Sequence, residues 1–114
     1  MKISEILEIL NGHVLCGENR LSDEITVAFA SDLMSDVLTL PTGNLILITG
    51  LSNIQTIRTA EMADINYILL VRNKKASPDF IQLASENNQV IIETPYSMFR
   101  TCGLLFEAGL SAVF

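Results

Sequence analysis

Polar residues that could bind a small ligand follow the predicted central strands of this chain. Thr49 and Gly50 end an apolar run, and Ser52 and Asn53 come just before a predicted helix. The free N–H groups and partial positive charge of a helix N-terminus favour a phosphate. A basic cluster at residues 72–75, after the next strand, could add full charges. Ligands gather at the carboxyl ends of parallel strands, so we predict a phosphate-binding rim there. The rim comprises Ser31, Asp32, Thr49, Gly50, Ser52, Asn53, Arg72, Asn73, Lys74 and Thr94.

Each rim residue also has a purely structural explanation. Ser52 or Asn53 is a good helix N-cap, and Thr49 with Gly50 is typical of a turn. The basic cluster fits a solvated loop. The sequence contains no glycine-rich phosphate loop of the Walker or dinucleotide-binding kind. Both interpretations therefore stay open at this point.

Patterns for catalysis or metal binding are weak. Asp32 and Asp36 lie four residues apart and could share one helix face as an acid or metal-binding pair, but no histidine or third carboxylate is near them. His13, the only histidine, cannot build a usual four-ligand zinc site with Cys16 and Cys102. We predict no catalytic residues, no metal, no cofactor and no enzymatic activity.

The composition indicates a single acidic domain over residues 1–114. Hydrophobic residues make up 49% of the chain and charged residues only 18%, which favours a packed core over disorder. The net charge of −6 argues against binding to nucleic acid and to an anionic membrane. Two cysteines are too few for a disulfide framework, and no apolar run is long enough to span a membrane. These features predict a cytoplasmic protein.

The fold is predicted from a central strand–helix–strand unit over residues 45–71. Its two continuous apolar runs are typical of strands buried on both faces, and the strands of such a unit run parallel. Strands begin about every 22 residues, near Leu45, Tyr67 and Val90, and each is followed by a helix. We therefore predict an α/β layered sandwich with a mostly parallel, possibly mixed sheet built from repeated βα units.

The remaining elements follow from periodicity and capping residues. Further strands are predicted over residues 13–16, 25–31 and 90–92. Helices are predicted over residues 3–10, after Ser31, over 54–63, after Ser77 and over 97–107. A turn is predicted at residues 41–44. The apolar tail, residues 110–114, is expected to fold back on the body or to lie at a subunit interface.

Three of these helices carry more specific expectations. Ser4 is the predicted N-cap of the first helix. Ser31 is predicted to cap a short helix that buries Leu33, Met34, Val37 and Leu38. In the helix over 54–63 the apolar stripe is expected to be Ile54, Ile57 and Met62, with Gln55, Arg58, Thr59 and Glu61 facing solvent.

Several segments of the chain resemble the DRTGG domain family. They are residues 3–7 (ISEIL), 13–17 (HVLCG), 25–27 (ITV) and 30–38 (ASDLMSDVL), of which the last is the most specific. The later βα units and residues 94–99 (TPYSMF) resemble its second half, so the resemblance covers nearly the whole chain. It departs where the family carries Thr-Gly-Gly, because this chain has Arg72, Asn73 and Lys74 there.

The resemblance implies a regulatory module of bacterial or archaeal proteins. Such domains occur beside CBS domains in some pyrophosphatases, within some phosphate acetyltransferases, and alone near iron-only hydrogenase genes. The implied fold is similar to the N-terminal domain of HPr kinase, and dimerisation is common. The resemblance suggests a metabolic enzyme or a hydrogenase system as partner, and it supplies no catalytic residues.

The leading hypothesis is a homodimeric, non-catalytic domain that binds an adenine nucleotide or another phosphate-bearing ligand and regulates a partner protein. The alternative is a protein–protein interaction module without a small ligand, which would use the tail and the exposed side of the last helix. An enzyme with Asp32 and Asp36 as its acid or metal pair is the third hypothesis.

Overall fold

A six-stranded sheet forms the centre of the molecule. The computed structural model of the chain describes residues 1–41 and 43–114. The strand order is β1-β5-β4-β3-β2-β6, and every neighbouring pair is parallel except β1 with β5. The strands are β1 (His13–Cys16), β2 (Val27–Ala30), β3 (Leu45–Thr49), β4 (Tyr67–Leu70), β5 (Val90–Glu93) and β6 (Ser111–Ala112).

Helices cover both faces of this sheet. They are α1 (Ile3–Leu10), α2 (Met34–Val37), α3 (Ile54–Met62), α4 (Pro78–Glu86) and α5 (Met98–Glu107). Buried residues of α2, α3 and α4 join one hydrophobic cluster, and those of α1 and α5 join the other. The predicted layered α/β sandwich with a mostly parallel, mixed sheet is therefore confirmed.

The apolar runs of β3 and β4 are continuous because both faces of each strand are covered. Leu45 and Leu47 point into the cluster of α2, α3 and α4, whereas Ile46 and Ile48 point into that of α1 and α5. This alternation follows from the period of two residues in a strand. It explains why the central unit shows no polar positions before Thr49.

Most predicted helix ends are confirmed. Asn53, Ser77 and Ser97 are the N-caps of α3, α4 and α5, and each side chain accepts a hydrogen bond from the backbone three residues on. The first two helices are the exceptions. In α2 the N-cap is Leu33 and not the predicted Ser31. In α1 the N-cap lies two residues before the predicted Ser4. Its N-cap is Lys2, whose N–H donates to the Glu5 carboxylate at 3.0 Å.

Two predicted helix faces are correct only in part. Met34, Val37, Ile54 and Ile57 pack into the core as predicted. In α2 only Val37 is buried, and Leu33 and Leu38 are exposed because the helix spans just four residues. In α3, Met62 is 76% exposed, whereas Thr59 is buried. Met62 lies five residues after Ile57, which rotates it about 140° away on a helix with 3.6 residues per turn. Small residues, Thr56 and Ala60, face the sheet instead and let the helix pack closely.

The C-terminal tail folds back as an edge strand. The last strand, β6, pairs parallel to β2, with Val27 opposite Ser111 and Ala28 opposite Ala112. The Phe114 ring meets the Phe29 ring edge-on at 6.2 Å between centroids. Part of the turn predicted over residues 41–44 cannot be placed, because Thr42 lies outside the described residues.

No described helix has the length and apolar character needed to cross a membrane.

Candidate functional site

The carboxyl ends of four parallel strands lie side by side at one edge of the sheet. Ala30 pairs with Ile48, Thr49 pairs with Leu70, and Leu70 pairs with Glu93. The residues that follow these strands are therefore neighbours in space although they are far apart in sequence. This edge is where the rim was predicted.

Asp32 links the ends of β2 and β3. Its Oδ1 accepts hydrogen bonds from the Thr49 hydroxyl at 2.8 Å and from the Gly50 N–H at 2.7 Å. Thr49 is buried, and its Oγ1 in turn accepts from the Leu51 N–H at 3.2 Å. The Asp32 carboxylate is thereby held in place by two donors from the neighbouring strand end.

The Arg72 guanidinium head lies close to Gly50. A Cβ on Gly50 would stand 2.6 Å from Arg72 Nη2 and 3.5 Å from Asp32 Oδ2. A side chain at residue 50 would therefore displace the guanidinium head, which is the far end of a flexible side chain. Among the described residues, none forms an ion pair or a hydrogen bond with that guanidinium. Its donors are therefore directed to solvent above Gly50.

The Arg72 backbone has an uncommon conformation. Arg72 and Asn73 have φ values of 62° and 55°, in the left-handed region that glycine adopts readily. Two hydrogen bonds to the connection between β5 and α5 hold this turn: the Arg72 N–H donates to the Tyr96 carbonyl at 2.7 Å and the Asn73 N–H to the Thr94 carbonyl at 3.0 Å. The chain thus keeps a glycine-like turn where the family resemblance places Thr-Gly-Gly.

Other predicted rim residues have structural partners. The Ser31 hydroxyl accepts from the Leu33 N–H at 2.9 Å, and Asn53 Oδ1 accepts from the Thr56 N–H at 3.2 Å. Thr94 is buried, and its hydroxyl donates to the Leu10 carbonyl at 2.7 Å, so its side chain faces the interior. Ser52 is half-buried beside α3, and Lys74 is exposed on the loop after β4.

Only a few rim residues, among them two charged ones, lie close together. Asp32, Thr49, Gly50 and Arg72 meet directly, with Asn73 and Lys74 on the same turn. Sequence reasoning missed the contribution of Tyr96, which acts through its backbone carbonyl. The Arg100 guanidinium lies over the Tyr96 ring, 3.8 Å from its centroid. The sequence signal would have been the turn residues Thr94 and Pro95 directly after a buried strand.

A second surface feature is an apolar groove between α5 and the sheet edge, of about 360 Å³. It is lined by Ala28, Ala30, Ile48, Phe99, Phe106 and Ala112, among others. Phe99 is 90% exposed and Phe106 is 71% exposed. We refer to this feature as the α5 groove. It adjoins the rim through Ala30 and Ile48, which directly precede rim residues in sequence.

Reactive side chains are not assembled in the described part of the chain. Burial raises the pKa of the Cys16 and Cys102 thiols, which disfavours the nucleophilic thiolate. Among residues 1–41 and 43–114, no three histidine, cysteine or carboxylate residues are grouped to hold a metal. Asp36 on α2 has no described side-chain partner, whereas Asp32 is bonded to β3.

Comparison with known proteins agrees with this fold. The family model of the DRTGG domain matches residues 5–108. This chain belongs to the DRTGG domain family. The resemblance inferred from residues 30–38 and the other segments is thereby confirmed.

A solved structure gives the same architecture for this DRTGG domain. It is the crystal structure of the CBS and DRTGG domains of the regulatory region of Clostridium perfringens pyrophosphatase, complexed with its activator diadenosine tetraphosphate. The TM-score is 0.73 at 18% sequence identity, over 91% of this chain and 45% of that one. The chain thus spans less than half of that regulatory region. No curated protein sequence matches the chain.

Proposed function

We propose that this chain is a non-catalytic regulatory domain that binds an adenine nucleotide, or another phosphate-bearing small ligand, at the rim and thereby controls a partner enzyme. The observation that carries the proposal is the Arg72 guanidinium above Gly50, free of described protein partners at a convergence of strand ends. The similar pyrophosphatase region, which is regulatory and was solved with a dinucleotide activator, supports the same assignment.

Arg72 has the properties of a phosphate-binding residue. A guanidinium offers up to five donors in a planar fork, which suits bidentate contact with phosphate oxygens. Holding Arg72 in a left-handed conformation costs roughly 1–2 kcal/mol compared with a relaxed backbone. Ligand binding is a reason to keep an arginine at such a position, because glycine would relieve that cost. Lys74 and Lys75 extend the positive charge along the loop.

The test is the stability of the purified chain with AMP, ADP, ATP and diadenosine tetraphosphate, followed by calorimetry. A ligand at a hundredfold its Kd should raise the free energy of unfolding by about 2.7 kcal/mol. Arg72→Gln should weaken binding about tenfold or more, since it removes a charged contact to phosphate. The matched control is Arg58→Gln, which removes the same charge from an exposed position on α3.

Two results would contradict the proposal. One is the absence of any stabilisation by these nucleotides at millimolar concentration. The other is equal weakening by Arg72→Gln and Arg58→Gln, because the effect would then be one of net charge and not of the rim.

A second function is favoured by the α5 groove: a homodimeric interaction module without a small ligand. Burying an exposed phenylalanine side chain contributes about 1.5–3 kcal/mol, and Phe99 and Phe106 stand together along one apolar surface. Exposed apolar surface of this kind commonly marks a protein contact. The partner proposed for this surface is a second copy of the chain.

This alternative is tested by the mass of the chain in solution as a function of concentration. Phe106→Gln should shift the population towards monomer if the α5 groove is the interface. Leu38→Gln is the matched control, because Leu38 is also an exposed apolar residue but lies on the other side of the sheet, after α2. An unchanged mass for Phe106→Gln would remove this interface.

A further inference from the structure

The rim already contains an internal anion. The Thr49 hydroxyl, at the last residue of β3, and the Gly50 N–H, directly after it, are the donors that a phosphate oxygen would use at such a turn. In this chain both donate to Asp32 Oδ1, at 2.7 Å and 2.8 Å. A phosphate at this position would have to displace the carboxylate and would be repelled by it. The β3 side of the rim is therefore unsuited to phosphate.

The Asp32 carboxylate and the Arg72 guanidinium divide the rim into two halves. Asp32 Oδ2 accepts no hydrogen bond from any described residue, and an ionised carboxylate can only accept. The Arg72 guanidinium, which can only donate, lies on the β4 side. Gly50 separates them. Lys74 and Lys75 follow Arg72 on the same exposed loop, so the charged donors of the rim are on the β4 side and its charged acceptor is Asp32.

We propose that the rim selects a ligand with two chemically different ends. Asp32 Oδ2 accepts a hydrogen bond from a hydroxyl or amine group of the ligand, and Arg72 with Lys74 binds its phosphate. This inference rests on the proposed function and specifies its ligand class: a nucleotide has ribose hydroxyls, a base amine and phosphates, whereas pyrophosphate has only the phosphate end. Asp32 is thus a specificity-determining residue.

The experiment compares ADP with pyrophosphate by calorimetry. Asp32→Asn can keep an oxygen for the Thr49 and Gly50 donors, and it places an amide donor where Oδ2 was. ADP affinity is expected to fall about tenfold or more, because an acceptor becomes a donor. Pyrophosphate affinity is expected to stay level or rise. Asp36→Asn removes the same charge four residues away and should change neither affinity more than about twofold.

Two ADP analogues identify the donor group of the ligand. The 2′,3′-dideoxy analogue lacks both ribose hydroxyls, and the purine riboside analogue lacks the base amine. The analogue whose affinity is insensitive to Asp32→Asn is the one that lacks the group bound by Asp32. Sensitivity of both analogues to the same degree as ADP would overturn the inference.

The failure of this inference can be distinguished from the failure of the proposed function. If the wild-type chain binds ADP but Asp32→Asn binds it equally or more tightly, the rim is a simple anion site and the inference is wrong while the proposed function stands. If folded wild-type protein binds no ADP at millimolar concentration, the proposed function is wrong and the inference falls with it. Circular dichroism of each variant establishes that it is folded.

Discussion

Two arginines at opposite edges of the sheet have opposite environments. At the amino ends of β4 and β5, Arg20 donates to the Asp23 carboxylate at 2.8 Å, to the Tyr67 hydroxyl at 3.1 Å and to the Asn88 carbonyl. The Tyr67 hydroxyl in turn donates to Asp23 at 2.9 Å. At the carboxyl ends, Arg72 has no such partner among the described residues. The first arginine joins parts of the fold, whereas the second has an exposed side chain.

The comparison shows that residue type alone does not mark a site. Arg20 lies over the Tyr67 ring, 5.2 Å from its centroid, and is also held by hydrogen bonds. Arg20 has a structural role, although a cluster of arginine, aspartate and tyrosine could be mistaken for a catalytic site. Arg72 stands on a simple polar loop, yet its turn is fixed by two backbone hydrogen bonds and its head is left free. A charged side chain that has no described protein partner and stands on a backbone turn held by hydrogen bonds is the more informative feature.

The largest expected effect is on stability at the amino edge. Arg20→Gln should lower the free energy of unfolding by about 2 kcal/mol, because the Asp23 and Tyr67 partners lose charge-assisted hydrogen bonds in a half-buried position. Arg72→Gln should change it by about 0.5 kcal/mol or less, as for other exposed side chains. Urea denaturation measures both. Equal losses of unfolding free energy for the two variants would contradict the distinction between Arg20, which stabilises the fold, and Arg72, which has no described protein partner.

A smaller effect is expected from Gly50→Ala on ligand binding. The new methyl group would displace the Arg72 head, which is the end of a flexible side chain, so the fold should tolerate it. Affinity for the rim ligand should fall about threefold to tenfold, or about 0.6–1.4 kcal/mol.

A double-mutant cycle serves as the control for Gly50→Ala. In the Arg72→Gln background the same change should have little further effect, because the displaced group is already absent. Additive losses would show that Gly50 acts independently of Arg72.

The third prediction concerns the backbone of the Arg72 turn. Because residue 72 has a φ of 62°, Arg72→Gly should be more stable than Arg72→Ala by about 1 kcal/mol. The same pair of substitutions at Arg58, in the middle of α3, should give the opposite order, since glycine destabilises a helix by about 1 kcal/mol relative to alanine. Thermal denaturation of the four variants decides this. The same order at both positions would mean that the turn is not strained.

Sequence patterns predicted the framework well because its signals are local. The apolar runs of β3 and β4 and the helix caps Asn53 and Ser77 depend on neighbours within a few residues. The errors arise where tertiary packing decides. Met62 was expected inside, but α3 buries the face that carries Thr56, Ile57, Thr59 and Ala60.

The convergence of polar residues at the strand ends was predictable, but the contacts of their side chains were not. Parallel neighbours bring strand ends together, which located the rim. The bonds from Thr49 and Gly50 to Asp32 join residues 17 and 18 positions apart, and no local pattern contains them. The Thr94 hydroxyl points inward because it donates a hydrogen bond to the Leu10 carbonyl, 84 residues away in sequence. Polar residues at a strand end therefore predict where a polar cluster lies in the fold, but they do not predict which of its side chains face solvent.

The smallest expected effect is a pH dependence at the amino edge. Burial, and then the hydrogen bond to Asp23, raise the pKa of Tyr67 above its ordinary value of 10.0. The folded state therefore keeps the phenol proton at a pH where the unfolded chain releases it. This contribution to stability is complete below pH 10 and is lost as the pH rises through the folded pKa.

Tyr67→Phe isolates this contribution. At pH 8 the variant should be less stable than wild type by about 1 kcal/mol, because Arg20 and Asp23 lose a hydrogen-bond partner. The difference in the free energy of unfolding should narrow as the pH rises above 10. Only the wild type has the Tyr67 hydroxyl, so only the wild type loses stability when this group gives up its proton. The two thiols, whose raised pKa values also reduce stability at alkaline pH, are present in both proteins and do not affect the difference. A constant difference up to pH 11 would mean that the Tyr67 proton is not held by the network around Arg20.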